Sequence, residues 1–438
     1  MLDACSAPEL AWCNLDVRLC CSGSTELSRS VYIDAAPQPD IVGPRDRPKE
    51  PSLMLPRRIV VISDFQDGDW SNGDPYSVDD YRAQWLSGRR GDPPRFLSRS
   101  SPAVAVNGGY LERLPLAALK SGIVDCAEIW THWRGAKPPA NWTDPGSPWI
   151  TRRAFRSDTR AAPFASDDML AHIEAFGPPK ILCVWGLGVE ERILAACRNS
   201  FKIYNSIDAP ALRVPPEVSR HFDLILTGAE WQSDVVHAIH PEMLTSVMPI
   251  GPEFASDTTF TPLGLPKIYD VIYVAAAQAY KRHDILFDAL SRLPRTIRAL
   301  CVFGYGELTE ELRGRAEGLG IDVDFVGPPG VPFAEVNRLM NTAKMGVVCG
   351  VDDGAPAILT EYMLAGLPVL ANSALSCGLQ YITPATGRTA TEDEFHIGIS
   401  DVLSHLGTFT PRETVQANWT WPHTIQRLKA TTSNFLTS

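Results

Sequence analysis

Residues 353–369 read Asp-Gly-Ala-Pro-Ala-Ile-Leu-Thr-Glu-Tyr-Met-Leu-Ala-Gly-Leu-Pro-Val, and this run constrains the fold more than any other. Gly354 precedes a helix start and Pro356 suits its first turn. Gly366 and Pro368 end the helix and lead into the apolar strand Pro-Val-Leu-Ala-Asn. Loop, helix and strand in that order make one unit of an α/β sheet. Two carboxylates, Asp353 and Glu361, stand eight positions apart around the helix start. A helix N-terminus offers free backbone N–H groups and partial positive charge, which suits a phosphate. Glu361 lies roughly 7.5 Å along the axis from Pro356. One carboxylate can therefore flank each end of a bound diphosphate, with sugar and ribose hydroxyls as partners. A sheet unit with no ligand uses the same turns, so the pair alone does not decide.

The 438 residues are enough for two or three domains with sizeable cores. Hydrophobic residues at 45% and charged residues at 21% make an ordinary soluble composition. A formal net charge of −11 argues against a nucleic-acid binder and gives no support for anionic-membrane binding. No apolar run approaches the roughly 20 residues that span a bilayer. The start lacks the basic-then-apolar pattern of a signal peptide. A cytoplasmic protein is expected, open to peripheral membrane contact. Cys183, Cys301, Cys349 and Cys377 lie in or beside apolar runs and read as buried thiols. Cys5, Cys13, Cys20 and Cys21 crowd the first residues at spacings that fit no zinc pattern.

Residues 1–56 lack a clear period and grow rich in Pro, Ser and charge, as in a poorly ordered extension. Over 57–252 the pattern predicts a doubly wound parallel sheet. Its strands are expected at 58–65, 126–133, 180–185, 201–207, 223–227 and 244–250. Helices are expected at 77–87, 166–176, 189–198 and 230–239, with Ser166 as an N-cap and a Pro- and Trp-rich loop over 135–150. Prolines and turn-prone clusters mark a linker at 253–266. A second alternation fills 267–418, with strands at 269–275, 297–303, 321–326, 345–350 and 369–371. Its helices fall at 282–293, 307–319, 332–342 and 357–365. A final amphipathic helix occupies 419–438. Two such sheets facing across a cleft bind ligands at the carboxyl ends of their strands.

With its flanking Gly-x-Pro and Ala-Gly-Leu-Pro-Val, the run 353–369 resembles the E-x7-E region of retaining glycosyltransferases of the GT-B fold. That group includes sucrose and glycogen synthases and many bacterial mannosyl- and glucosyltransferases. Asp353 stands where the family has Glu. The resemblance covers 268–390 and continues more weakly over 201–267. It implies two Rossmann-like domains, the N-terminal one for an acceptor and the C-terminal one for a nucleotide sugar. The C-terminal helix would pack back on the N-terminal domain. Lys281 falls on the Lys of the family's G-R-x4-K-G segment, which neutralises the donor diphosphate, and His283-Asp284 fits the G-H-D pattern that follows. The Arg of that segment falls on Ala276 and is missing, so Arg282 is the candidate substitute. Gly304 and Gly306 match a G-x-G turn at the nucleotide, and residues 324–330 a strand and Gly near the base. Residues 375–378 and 381–387 match the segment after the E-x7-E helix, a Gly-rich turn and a strand ending in Thr-Gly.

The resemblance implies Asp353 and Lys281 as catalytic residues, with Asp353 near the sugar hydroxyls. Glu361 would meet the ribose. Gly354, Ala355 and Pro356 would surround the diphosphate. No cofactor or metal is expected, and neither Asp67-Gly68-Asp69 nor Asp322-Val323-Asp324 sits in a metal-binding context. In the first half, Asp67, Asp69 and Trp70 are acceptor candidates on the loop after the first strand. Many relatives carry a His after a middle strand. Here that place, residues 183–188, has none, and Trp185 offers a stacking face instead. Asp208 lies at the polar end of the next strand and is a further acceptor candidate. The expected activity is retaining transfer of a hexose from a nucleotide diphosphate sugar to a glycan, lipid-linked sugar or natural product. The missing Arg and His point to the first alternative, a catalytically weak or inactive sugar- or partner-binding protein. The second is a nucleotide-sugar epimerase, which needs acid/base residues in the cleft. Base, sugar and acceptor stay open.

Overall fold

Short apolar runs bounded by Gly and Pro gather into two separate sheets. The structure is a computed structural model and describes residues 57–67, 104–135, 138–139, 141–144, 147–206 and 208–436. The first sheet holds β1 (Arg58–Asp67), β2 (Cys126–Trp133), β3 (Trp142–Asp144), β4 (Ser147–Arg156), β5 (Ile181–Trp185), β6 (Phe201–Asn205), β7 (Leu224–Thr227) and β8 (Thr245–Val247). Their order is β3-β4-β2-β1-β5-β6-β7-β8. Only the β3–β4 pair is antiparallel. The second sheet holds β9 (Tyr269–Val274), β10 (Arg298–Val302), β11 (Asp322–Val326), β12 (Ala343–Val348), β13 (Val369–Asn372) and β14 (Gly387–Ala390). Its order is β11-β10-β9-β12-β13-β14, all parallel. Each sheet is buried on both faces, which explains strands that read as continuous apolar runs.

Most expected elements form close to their expected bounds. The Asp167–Phe176 helix is capped as read, with the Ser166 hydroxyl accepting from the Met169 amide at 3.2 Å. The helix expected at 77–87 and the extension 1–56 lie outside the described residues. Residues 135–150 are not all loop, because they contain β3 and the start of β4. β4 carries Arg152 and Arg153 side by side, which hides its alternation, yet both are buried. Arg153 forks onto Glu128 of β2 at 2.9 and 3.1 Å. Arg152 pairs with Glu112 of the Tyr110–Lys120 helix. That helix was not foreseen, since Pro115 interrupts its pattern and Gly109 at its N-cap provides no side-chain hydrogen bond. The Phe395–Ser404 and Pro411–Asn418 helices were not foreseen either. Residues 379–381 form a turn of 3-10 helix, and β14 starts at Gly387 rather than ending there.

The chain crosses between the sheets twice. It leaves the first domain through the short Ile250–Glu253 helix and returns through the Trp421–Leu436 helix. The two crossings touch: Ala255 and Thr420 form an isolated bridge, and the Trp421 amide donates to the Ala255 carbonyl at 3.2 Å. Ile425 and Leu428 then pack into the first domain's core beside Leu114 and Ile250. The C-terminal helix thus packs back on the N-terminal domain. Glu253 ties these pieces together. Its carboxylate accepts from Tyr381 Oη at 3.1 Å and from Thr424, and pairs with Arg427. Burial raises its pKa, with Arg427, Tyr381 and Thr424 pulling the other way.

Arg427→Ala should therefore destabilise the fold. Removing a partner from a buried pair costs about 3–5 kcal/mol. Arg427 is 46% exposed and two hydroxyls remain on Glu253, so a loss on the order of 2 kcal/mol is expected. A carboxyl with a raised folded pKa costs stability as pH rises and it ionises. The deficit, measured by chemical denaturation, should be larger at neutral than at acidic pH.

Candidate functional site

The carboxyl ends of β9 and β12 bring Lys281 and Asp353 together. Lys281 closes a turn of 3-10 helix after β9, and its carbonyl accepts from Tyr273 Oη at 2.6 Å. Its ammonium makes an ion pair with Asp353 and lies 4.6 Å from the Tyr280 ring centre. Burial alone would lower the Lys281 pKa, but the Asp353 carboxylate outweighs it and holds the group above the ordinary lysine value. The loop carrying Asp353 is strained. Ala355 has φ +86°, a region costly for a residue with a Cβ. An isolated bridge between Gly354 and Cys377 helps hold that loop. The helix itself is short, Ile358–Leu364, and begins two residues past Pro356. One amide at its start, that of Ala357, already donates to Tyr110 Oη of the first domain at 3.3 Å. Dipole and free amides are therefore weaker here than the sequence suggests.

Glu361 lies on this helix and pairs across the domain boundary with Arg113. The Gly304–Gly306 turn follows β10 and supports the Lys281 segment. Ala277 N–H donates to the Tyr305 carbonyl at 2.8 Å, and Leu308 N–H to the Ala277 carbonyl at 2.9 Å. Gly306 has φ +135°, and a Cβ there would sit 2.3 Å from the Ala277 carbonyl oxygen. Only glycine fits.

Arg282 does not face this group. It adopts φ +51°, forks onto Asp284 at 2.9–3.1 Å and pairs with Glu392 at 2.9 Å. Ala276, at the family Arg position, is buried. His283 packs among Tyr273, Phe287 and Phe303. Burial pushes its pKa down to about 3, so it is a neutral core residue.

On the opposite wall Trp185 ends β5 but is only 5% exposed, within the core. It offers no open stacking face. Tyr110, 6.1 Å from it edge to face and 37% exposed, presents the aromatic surface instead. Asp208 pairs with Arg213 at 2.5 Å. Asp67 closes β1, but its side chain lies outside the described residues, as do Asp69 and Trp70. Asp64, three residues earlier on the same strand, was missed. Burial first, then the Asp208 carboxylate, push its pKa up from 3.8 to about 6, against the Leu187 amide and Arg213. A carboxylate at the carboxyl end of a central strand was its available signal. Tyr280 links the two walls, since both Asp353 and Asp208 act on its phenol, whose pKa is raised mainly by burial.

The walls also touch directly. Trp231 Nε1 donates to the Ser376 carbonyl at 2.7 Å, and Gln380 Nε2 to the Gly228 carbonyl at 2.9 Å. A Cβ on Gly228 would meet the Gly354 carbonyl oxygen and the Cys377 Cβ, each at 2.9 Å. Among the described residues, no cluster of three or more His, Cys, Asp or Glu is placed to hold a metal ion. No helix among them is long and apolar enough to cross a membrane.

Residues 258–389 match the family described as glycosyl transferases group 1. No curated protein is significantly similar in sequence. Sucrose-phosphate synthase from Thermosynechococcus elongatus superposes with a TM-score of 0.60 at 16% identity, over 87% of this chain and 100% of that one. HepE of Anabaena, solved with UDP and glucose, gives 0.54 at 12% identity over 86% and 100%. The pneumococcal O-GlcNAc transferase GtfA, solved with UDP and GlcNAc, gives 0.50 at 11% identity over 63% and 62%. This chain spans less than two thirds of that last enzyme. The fold is GT-B.

Two outcomes are expected. Gly306→Ala should force the turn off Ala277 and lower the melting temperature by several degrees, a cost on the order of 1–3 kcal/mol. Asp64→Asn should be more stable than the parent above pH 6, by on the order of 2 kcal/mol, and no more stable below pH 4. The sign follows from a raised carboxyl pKa, whose ionisation costs stability as pH rises from about 4 to about 6. Thermal melts across that range measure it.

Proposed function

We propose that this glycosyltransferase, a GT-B protein with a group 1 C-terminal domain, moves a hexose from a nucleotide diphosphate sugar to an acceptor with retention at the anomeric carbon. The observation that carries the reading is the convergence of Lys281, Asp353 and Glu361 around Tyr110 of the first domain, at the carboxyl ends of the second sheet's central strands. Lys281 exchanges its Asp353 partner for the donor's diphosphate and offsets the charge that grows there as the sugar leaves. Asp353, so released, accepts hydroxyls of the transferred sugar. Glu361 accepts those of the ribose. No metal is required in this scheme. Retention means that the acceptor oxygen bonds on the face the diphosphate leaves. The acceptor therefore enters from the first domain, past Tyr110, Asp64 and Asp208. HepE and GtfA, solved with UDP and a sugar, make a uridine nucleotide the first donor to try.

One observation favours a weaker enzyme or a binding protein. With Ala276 buried and Arg282 held by Asp284 and Glu392, Lys281 is the sole remaining candidate from the family's diphosphate segment. Turnover separates the readings. UDP, GDP and ADP are screened for thermal stabilisation, and the matching sugar donors for transfer and for the anomeric configuration of the product. Lys281→Ala should weaken diphosphate binding about tenfold and lower kcat/KM about a hundredfold or more. Stabilisation by no nucleoside diphosphate overturns the donor site. Binding without transfer supports the binding-protein reading, and an epimerised free sugar nucleotide supports an epimerase.

A further inference from the structure

Arg113 has no counterpart among the residues the sequence singled out. It lies on the Tyr110–Lys120 helix of the first domain and is 3% exposed. Its three donor groups are all engaged. Nε donates to the Gly108 carbonyl at 3.2 Å and Nη1 to the Gly251 carbonyl at 2.6 Å. Nη2 donates to Oε1 of Glu361, in the second domain. The first two partners are backbone atoms of Arg113's own domain, so the guanidinium is fixed whether or not Glu361 is present. The pair is secluded, with side-chain exposures of 4% and 9%. Glu361 Oε2 accepts no hydrogen bond from the described residues.

Resting on the donor reading above, we propose that Arg113 is a positioning residue for nucleoside recognition. Its guanidinium, fixed by two backbone carbonyls, holds Oε1 of Glu361 in place and leaves Oε2 to accept from a ribose hydroxyl. Because the cation comes from the opposite domain, the ribose is gripped fully only when the two domains are together. Recognition of the sugar of the nucleoside, rather than of its phosphates, is thereby linked to closure. The fork is specific: a lysine ammonium in the same place cannot hold two carbonyls and a carboxylate in one plane.

Calorimetric titration with UDP, GDP and ADP, each beside its 2′-deoxy and 3′-deoxy counterparts, tests this. The proteins are the full chain and its Arg113→Met, Arg113→Lys and Glu361→Gln variants, with melting curves to confirm folding. The parent should prefer the ribo form of its nucleotide over a deoxy form roughly tenfold or more. Arg113→Met and Glu361→Gln should each lose that preference while still binding through Lys281, and Arg113→Lys should keep part of it. If Arg113→Met does not fold, a preference reduced in Arg113→Lys carries the same result. A preference undiminished in either Arg113 variant overturns the proposal. Tighter ribonucleotide binding by Arg113→Met also overturns it, since Arg113 would then be competing with the ribose. A parent that binds a diphosphate without discriminating the ribose overturns this inference but leaves the donor site standing. A parent that binds none overturns both.

Discussion

Two globular halves joined by two strands of chain need something that fixes how the strands lie. Here that constraint is one buried carboxylate. Glu253 ends the segment by which the chain leaves the first domain, and it is held by Thr424 and Arg427 on the helix that brings the chain back. Its third partner, Tyr381, belongs to the second domain. Burying this charge is unfavourable by itself, and the three partners make it tolerable. Their value is geometric. Exit, return and second domain must meet at one point for the charge to be satisfied, and the Ala255–Thr420 bridge lies beside it. The relation of the two cleft walls follows from that meeting.

Ion pairing recurs at the cleft with another consequence. Lys281 with Asp353, and Arg113 with Glu361, make two neutral pairs where a donor would lie. The first lies within one domain and its members can change partners. The second spans the boundary, and its arginine is anchored by backbone. In the proposed donor complex, a diphosphate would compete for the first pair and a ribose diol would add to the second. The same types of charged residue thus support an exchange in one place and a fixed orientation in the other.

The second domain was legible because its signals are local. Gly366, Pro368 and the G-x-G at 304–306 act through backbone conformations of their own turns, so reading them needs no knowledge of the rest of the chain. The first domain depends on partners far apart in sequence. β4 looks like loop until Glu112 and Glu128 neutralise Arg152 and Arg153. Arg113 looks like a solvated helix charge until the chain brings Glu361 to it. Trp185 was misread in the opposite sense: a large aromatic at a strand end suggests a stacking face, but the Tyr110 helix covers it. Arg282 was a fair candidate by position. Its left-handed backbone and the carboxylates at 284 and 392, the latter 110 positions away, turn it outward.

Gly228 has a mechanical meaning. Where it meets Gly354 and Cys377, the surfaces are peptide groups and a Cβ, with no long side chain to swing aside. Side-chain contacts are springs: rotamers give, and the gap varies. Contact between main chains is a rigid stop. Beside the strained Ala355 turn, the seam therefore has a stop set by main-chain thickness, alongside its side-chain contacts. For the proposed transfer, such a stop would hold the two bound molecules at a repeatable spacing, the tolerance that group transfer demands.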